Sequence, residues 1–315
     1  MGGVTRALLG RLLQAGFVAL IVGTACFAMV WALPGDIAFR IAAGRYGIDL
    51  VSGAAAEAVR AELGLDRPWW QQLGQWLGGL ARFDLGVSMV SGRPVVEELG
   101  VYLGHTILLA LVALMLSMLV GPPIGAWLGG RAGSVADRSG LVLSTLLRAV
   151  PSFVVGVVLI LVFAVGFGWL PAAGVGGWQE VVLPATTLAI GLAAVSSRVA
   201  RDSVAEALHA APAEFARRKG LPEGAVRRRH VWRNAAVPVV AYLGVQLVTL
   251  VEGVVIVETL FAWPGIGHAL VHAVVARDVP MLQGTALLMG LLFVALNAVV
   301  DLVCLLLDPR RKAVA

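Results

Sequence analysis

Six stretches of this chain are long and apolar enough to cross a lipid bilayer, and no other feature narrows its possible folds as much. They cover residues 10–33, 104–129, 140–168, 181–198, 236–258 and 283–307. A helix needs about 20 mainly apolar residues to span the hydrocarbon core. The runs therefore predict an all-α, polytopic membrane protein with six transmembrane helices. Composition agrees: 59% of the residues are hydrophobic and 14% are charged, whereas a soluble domain is about a quarter charged. Pro122 and Pro123 fall inside the second run, Pro151 inside the third, and Pro184 near the start of the fourth. Such prolines are tolerated where neighbouring helices satisfy the freed carbonyls, so kinked, packed helices are expected. The first run is longer than a signal-peptide core and reads as a span that stays. Cys26 and Cys304 both lie in apolar runs and outline no disulfide framework or zinc site.

The loop charges set the orientation. Residues 198–233 hold nine Lys or Arg against Asp202, Glu206, Glu214 and Glu223, a net +5. Arg131 and Arg138 mark the next loop, Arg6 and Arg11 the N-terminus, and Arg310, Arg311 and Lys312 the tail. Six spans put all four basic regions on one side, which the positive-inside rule makes the cytoplasm. Both termini are then cytoplasmic. The long segment 34–103, with six Arg and eight acids, is then extracytoplasmic. Within it, 54–86 has helical spacing, a stop near Gly64 and a restart after Pro68. Trp69, Trp70 and Trp76 fit amphipathic helices at the outer interface; a small docking domain for a soluble partner is the alternative.

Catalytic motifs are missing. The only lysines, Lys219 and Lys312, do not follow a glycine, so no P-loop exists here. There is no H-E-x-x-H, G-x-S-x-G or strand-linked G-x-G-x-x-G either. The chain is not expected to be an enzyme, and any ATP-driven step needs a separate ATPase. A stand-alone secondary transporter or channel remains possible, although no matched inverted halves are visible.

The segment 199–235 interrupts two spans with a basic elbow. One helix is expected from Asp202 to Lys219 and a second from Glu223 to Ala236, with Gly220 and Pro222 as the break. Anionic lipid would account for the arginines. It would not account for the tip Glu214-Phe215-Ala216 or the Gly-Leu-Pro break, which fit docking to another protein equally well.

Glu214-Phe215-Ala216-x-x-x-Gly220 resembles the E-A-A-x-x-x-G loop of bacterial binding-protein-dependent ABC importer permeases. Arg229-His230-Val231-Trp232-Arg233-Asn234-Ala235 and Pro238 resemble the peptide/nickel branch in particular. Other matching strings include Leu33-Pro34-Gly35-Asp36, Leu63 to Pro68, Asp84 to Ser88 and Gly92 to Val95. Val150 to Phe153, Trp169 to Ala172, Val257 to Gly267 and the Asp301 to Arg310 end complete the set, in order and across nearly the whole chain. The resemblance implies a type I importer permease fold with a core domain over 104–315, a second, homologous permease as heterodimer partner, two ATPase subunits and an extracytoplasmic substrate-binding protein. It implies no cofactor on this chain, ATP and Mg²⁺ on the ATPases, a cytoplasmic (inner) membrane location and no nucleic acid. It makes the elbow a coupling helix, with Glu214, Phe215, Ala216, Arg217, Arg218, Gly220 and Leu221 at the ATPase contact.

Cargo is less determined. The short loop Gly174-Val175-Gly176-Gly177-Trp178-Gln179 resembles nickel permeases, so nickel or a metal chelate is expected, with di- or oligopeptides or glutathione as the alternative. His268 and His272, one turn apart, could share a metal but lack a third ligand. Ionisable side chains inside spans tend to face a bundle interior or water. Arg148, Glu252, Glu258, Asn297 and Asp301 are therefore the candidate pathway or gate residues.

Overall fold

The computed structural model describes residues 2–32, 35–46 and 52–307. Leu33-Pro34 of the L-P-G-D string, Asp308-Pro309-Arg310 and the basic tail lie outside the described residues. Thirteen helices follow one another among them, with no strand beyond one isolated bridge between Val87 and Pro94. They are α1 (Gly2–Ala32), α2 (Ile37–Tyr46), α3 (Gly53–Leu63), α4 (Trp69–Ala81), α5 (Val95–Gly129), α6 (Val135–Ala149), α7 (Ser152–Leu159), α8 (Trp178–His209), α9 (Ala211–Arg218), α10 (Glu223–Val226), α11 (Trp232–Leu260), α12 (Ile266–Ala276) and α13 (Val279–Leu307). Four helical stretches, Leu9–Met29, Val95–Gly129, Trp178–His209 and Val279–Leu302, are long and apolar enough to cross a membrane.

The third expected span is not one helix. α6 and α7 meet at 95° across Val150-Pro151, and α7 continues as a π-helical turn over Ile160–Gly166. A proline disfavours the helical conformation of the residue before it. Val150 is accordingly extended (φ −74°, ψ 125°), and Pro151 becomes the residue before α7. The proline therefore breaks this span instead of kinking it.

The chain divides into two compact units. The first comprises residues 1–106 and 264–295. Here α3 ends at Gly64, whose φ of +60° suits a glycine, and α4 begins after Pro68. Trp76 donates from Nε1 to the Gly23 carbonyl at 3.1 Å, tying α4 to α1, while Trp69 and Trp70 stay exposed. Buried Asp278 accepts from the Ser88 hydroxyl and the Met89 and Met281 amides. It thereby caps α13 and fastens the 86–94 turn to it.

The second unit comprises residues 107–263 and 296–315. Its main core joins Leu109 and Ala113 of α5, Leu183, Leu188 and Leu192 of α8, and Leu250, Val254 and Val257 of α11, with Phe261 and Trp263 closing one end. On α5, Gly121, Gly125 and Gly129 form a stripe one turn apart. A Cβ on any of them would run into α8, at Ser196 and Ala193, the Ser197 carbonyl or the Arg201 carbonyl respectively. In lipid, where burial of apolar surface drives little association, such small-residue stripes let helices pack backbone to backbone.

Candidate functional site

The elbow differs in detail from the sequence expectation. α8 runs on to His209, Ala210 turns extended (ψ 148°), and a separate eight-residue α9 follows, with Pro212 in its first turn. Pro fits there because the first amides of a helix have no intrahelical partner. The expected single helix from Asp202 to Lys219 is thus two, broken at Ala210. After α10, a π-helical turn over Arg227–Val231 leads directly into α11.

α9 is two-faced. Ala213 and Ala216 are buried against Val204, Ala207, Val226, Val231 and Ala235. Their methyl groups hold the helix on the permease body, so Ala216 faces inward and not toward a partner as expected. Glu214 and Arg218 are exposed, and Phe215 is 59% exposed with the Lys219 ammonium 4.5 Å from its ring centroid. The outer face is therefore an aromatic ring carrying a cation, bordered by a carboxylate.

The stop after α9 has a backbone cause. Gly220 sits at φ +82°, and a Cβ there would meet nothing within 4 Å. Its requirement is conformational and not spatial. The Leu221 amide donates back to the Ala216 carbonyl at 3.2 Å and the Gly220 amide to Arg217 at 2.9 Å, the pattern of a Schellman-type C-terminus. Leu221 itself packs against the buried cluster below α9.

Arg217 fastens both ends of the elbow. It donates from Nη1 to the Leu208 carbonyl at 2.8 Å and from Nε to Glu223 Oε1 at 2.5 Å. The bond from Arg217 holds the exposed Glu223 carboxyl below the usual carboxylate range. Arg217 is thus committed within the chain, whereas Arg218 is 81% exposed.

One joint was not legible beforehand. Asp137 is buried and accepts two bonds from Arg201, from Nε at 2.8 Å and from Nη2 at 2.6 Å, plus the Gly133 amide at 2.8 Å. A bidentate guanidinium–carboxylate pair is among the stronger side-chain contacts. It locks the start of α6 to α8, eight residues before α8 ends. Loop charge counting placed this segment on the basic side and hid its single acid.

The pathway candidates are spread over α6, α11 and α13. Arg148 is exposed at the end of α6 and lines a cavity at the α6–α7 break. Glu258 is fully buried at the end of α11, and its carbonyl accepts the Trp263 amide at 2.8 Å, which braces the turn that follows. Asp301 is exposed and Asn297 half-buried on α13. Glu252 lies in α11, but its side chain lies outside the described residues. The His268 and His272 rings stand 4.3 Å apart, centroid to centroid. Among the described residues no group of three His, Cys, Asp or Glu could hold a metal.

Residues 121–313 match the model of a family described as the binding-protein-dependent transport system inner membrane component. The chain belongs to that family. The permease is 38% identical to a putative peptide transport system permease protein of Brucella abortus, over 98% of its own length and 99% of that protein's. It is 37% identical to the glutathione transport system permease protein of Pectobacterium atrosepticum, over 93% and 94%. Among solved structures it resembles an amino acid ABC transporter crystallised with histidines, with a TM-score of 0.54 at 16% identity, covering 66% of this chain and 94% of that one. That likeness concerns the fold. The permease is therefore an inner-membrane component of an ABC importer, related to the peptide/nickel branch. The relatives are named for peptide and glutathione, so the expectation of nickel or a metal chelate gives way to its alternative.

Proposed function

We propose that the permease forms half of the translocation pathway for di- or oligopeptides or glutathione. A second, homologous permease supplies the other half, two ABC ATPases bind ATP and Mg²⁺, and an extracytoplasmic binding protein delivers the cargo. Similarity to peptide and glutathione permeases along almost the whole chain supports the cargo class. Six spans result when the bent α6–α7 pair and the 29-residue α11 join the four long apolar stretches. With six, the basic loops share the cytoplasmic side with both termini.

The observation that carries the coupling role is the two-faced α9, with Ala213 and Ala216 inward and Glu214 and Phe215 outward. A cleft on the ATPase that takes Phe215 and its neighbours would move α9 as a body, and Arg217 would relay that motion to α8 and α10. Reconstitution of the whole importer with its binding protein in proteoliposomes tests the cargo class. ATP-dependent uptake of glutathione or dialanine without uptake of nickel is the expected result. Nickel uptake without either peptide would return the cargo to the metal class.

A further inference from the structure

A cavity of about 590 Å³ opens where three helices share one end. The glycine stripe lays α5 along α8 in parallel, Gly121 against Ala193 and Gly129 against Arg201, so both helices finish at this level. α11 starts there, out of the π-helical turn over Arg227–Val231. α5 and α8 are each long and apolar enough to cross a membrane, which puts the cavity at the membrane's edge. Val204 and Val231, both buried, and half-buried Leu208 form its floor. Its rim is exposed and carries Trp127 and Arg131 at the end of α5, with Arg227 and Trp232 where the chain turns into α11. Pro123, one turn before Trp127 and also exposed, continues the apolar lining along α5. The Arg131 guanidinium lies 4.2 Å from the Trp127 ring centroid, a contact that orders the cation without neutralising it. Arg227 approaches Glu223 at 3.9 Å, but that carboxylate is already bonded to Arg217 at 2.5 Å. Both arginines therefore keep charge for a ligand.

We infer that this cavity holds an anionic phospholipid, its phosphate received by Arg131 and Arg227 and the upper part of an acyl chain lying along Pro123 and α5. The lining asks for an amphiphile. A soluble anion would satisfy the guanidinium groups and leave the apolar floor and wall in contact with water. An apolar chain alone would leave two cations without a counter-charge. A zwitterionic lipid would bring an ammonium group against them. Indoles are favoured at this depth, where the ring meets hydrocarbon and the N–H reaches the headgroups, and basic pockets between membrane helices suit anionic headgroups. A lipid held here ties the end of α5 to the turn that leads from the elbow into α11.

The test titrates the complete importer, in a neutral detergent, with phosphatidylglycerol brominated in its acyl chains, and reads saturable quenching of tryptophan fluorescence. Arg131→Gln and Arg227→Gln are each expected to raise the half-saturating concentration about fivefold, and together about 25-fold, the loss of one and two cations facing an anionic headgroup. Arg228→Gln removes an exposed cation from the same turn but outside the cavity lining, and is expected to leave the value unchanged. Brominated phosphatidylcholine is expected to saturate only at several-fold higher concentration. Equal weakening by all three arginine variants would mean diffuse attraction to a basic surface, and the inference falls. It also falls if the Arg131→Gln/Arg227→Gln double variant binds as the wild type does, or if inorganic phosphate alone displaces the lipid. A photoreactive phenylalanine in place of Trp127, illuminated in the assembled importer in membranes, should form adducts with lipid. Adducts with the ATPase instead would give the cavity to a protein partner and overturn the inference.

Discussion

The elbow around α9 and the joint between α6 and α8 both use an arginine to bind helices together, but they are built for opposite purposes. At the joint, Asp137 is buried, held by both arms of Arg201 and by the Gly133 amide. Close by, Gly125 and Gly129 bring α5 against the α8 backbone. At the elbow, Arg217 and Glu223 meet in water, and the short helix they flank presents an exposed Phe215. In the coupling proposed above, a grip on α9 would enter through its exposed outer face. It would then reach α8, which the Asp137–Arg201 pair ties to α6 and the glycine stripe packs on α5. Coupling of this kind would need both: an accessible point of contact and a stiff lever behind it.

The largest effect should come from the lever. Gly125→Val places a branched side chain where the Ser197 backbone lies, so the variant should fail to accumulate as a folded membrane protein, measured by yield and monodispersity in detergent. Asp137→Ala comes next. It leaves the Arg201 guanidinium, itself partly exposed, without its main partner, and should cost about 2–3 kcal/mol and lower the thermal unfolding midpoint of the purified importer. Gly220→Val should do the reverse of both. Its backbone strain of about 1–3 kcal/mol falls on the elbow, so folding should survive while binding-protein-stimulated ATP hydrolysis and uptake come apart.

The smallest effect concerns pH. Because the bond from Arg217 lowers the pKa of Glu223, the contribution of that pair is fully present above about pH 4.5, the ordinary value for the group, and is lost as pH falls through the lowered one. Hydrogen exchange of the Glu223–Val226 amides should therefore be flat, after correction for intrinsic rates, from pH 8 to pH 5. It should accelerate only below that. Acceleration already at pH 6 would mean that the pair does not hold the elbow.

Much of this was legible in the residues and some was not. Gly64, Pro68 and Gly220 announced their helix ends because a positive φ or a missing amide acts locally. The exposed tip at Glu214 and Phe215 followed from spacing. Ala216, by contrast, was placed at the partner contact, and only the packing of Ala213 and Ala216 on Val226 and Val231 turns it inward. The 95° break at Pro151 could not be told from an ordinary kink, since the outcome depends on whether neighbours re-satisfy the helix. Asp137 was invisible as a joint because its partner is Arg201, 64 residues away in sequence. The cavity beside Trp127 depends on Arg131 and Arg227 arriving from different elements, which no periodicity records.

The central claim is that the outer face of α9, led by Phe215, is where the ATPase takes hold. A photoreactive phenylalanine analogue at position 215, illuminated in membranes containing the assembled importer, tests it most directly. An adduct between the permease and its ATPase subunit at position 215, and none when the analogue replaces buried Ala213 in protein that still assembles, is the predicted result. Adducts at position 215 confined to lipid, in complexes from which the ATPase co-purifies, would contradict it.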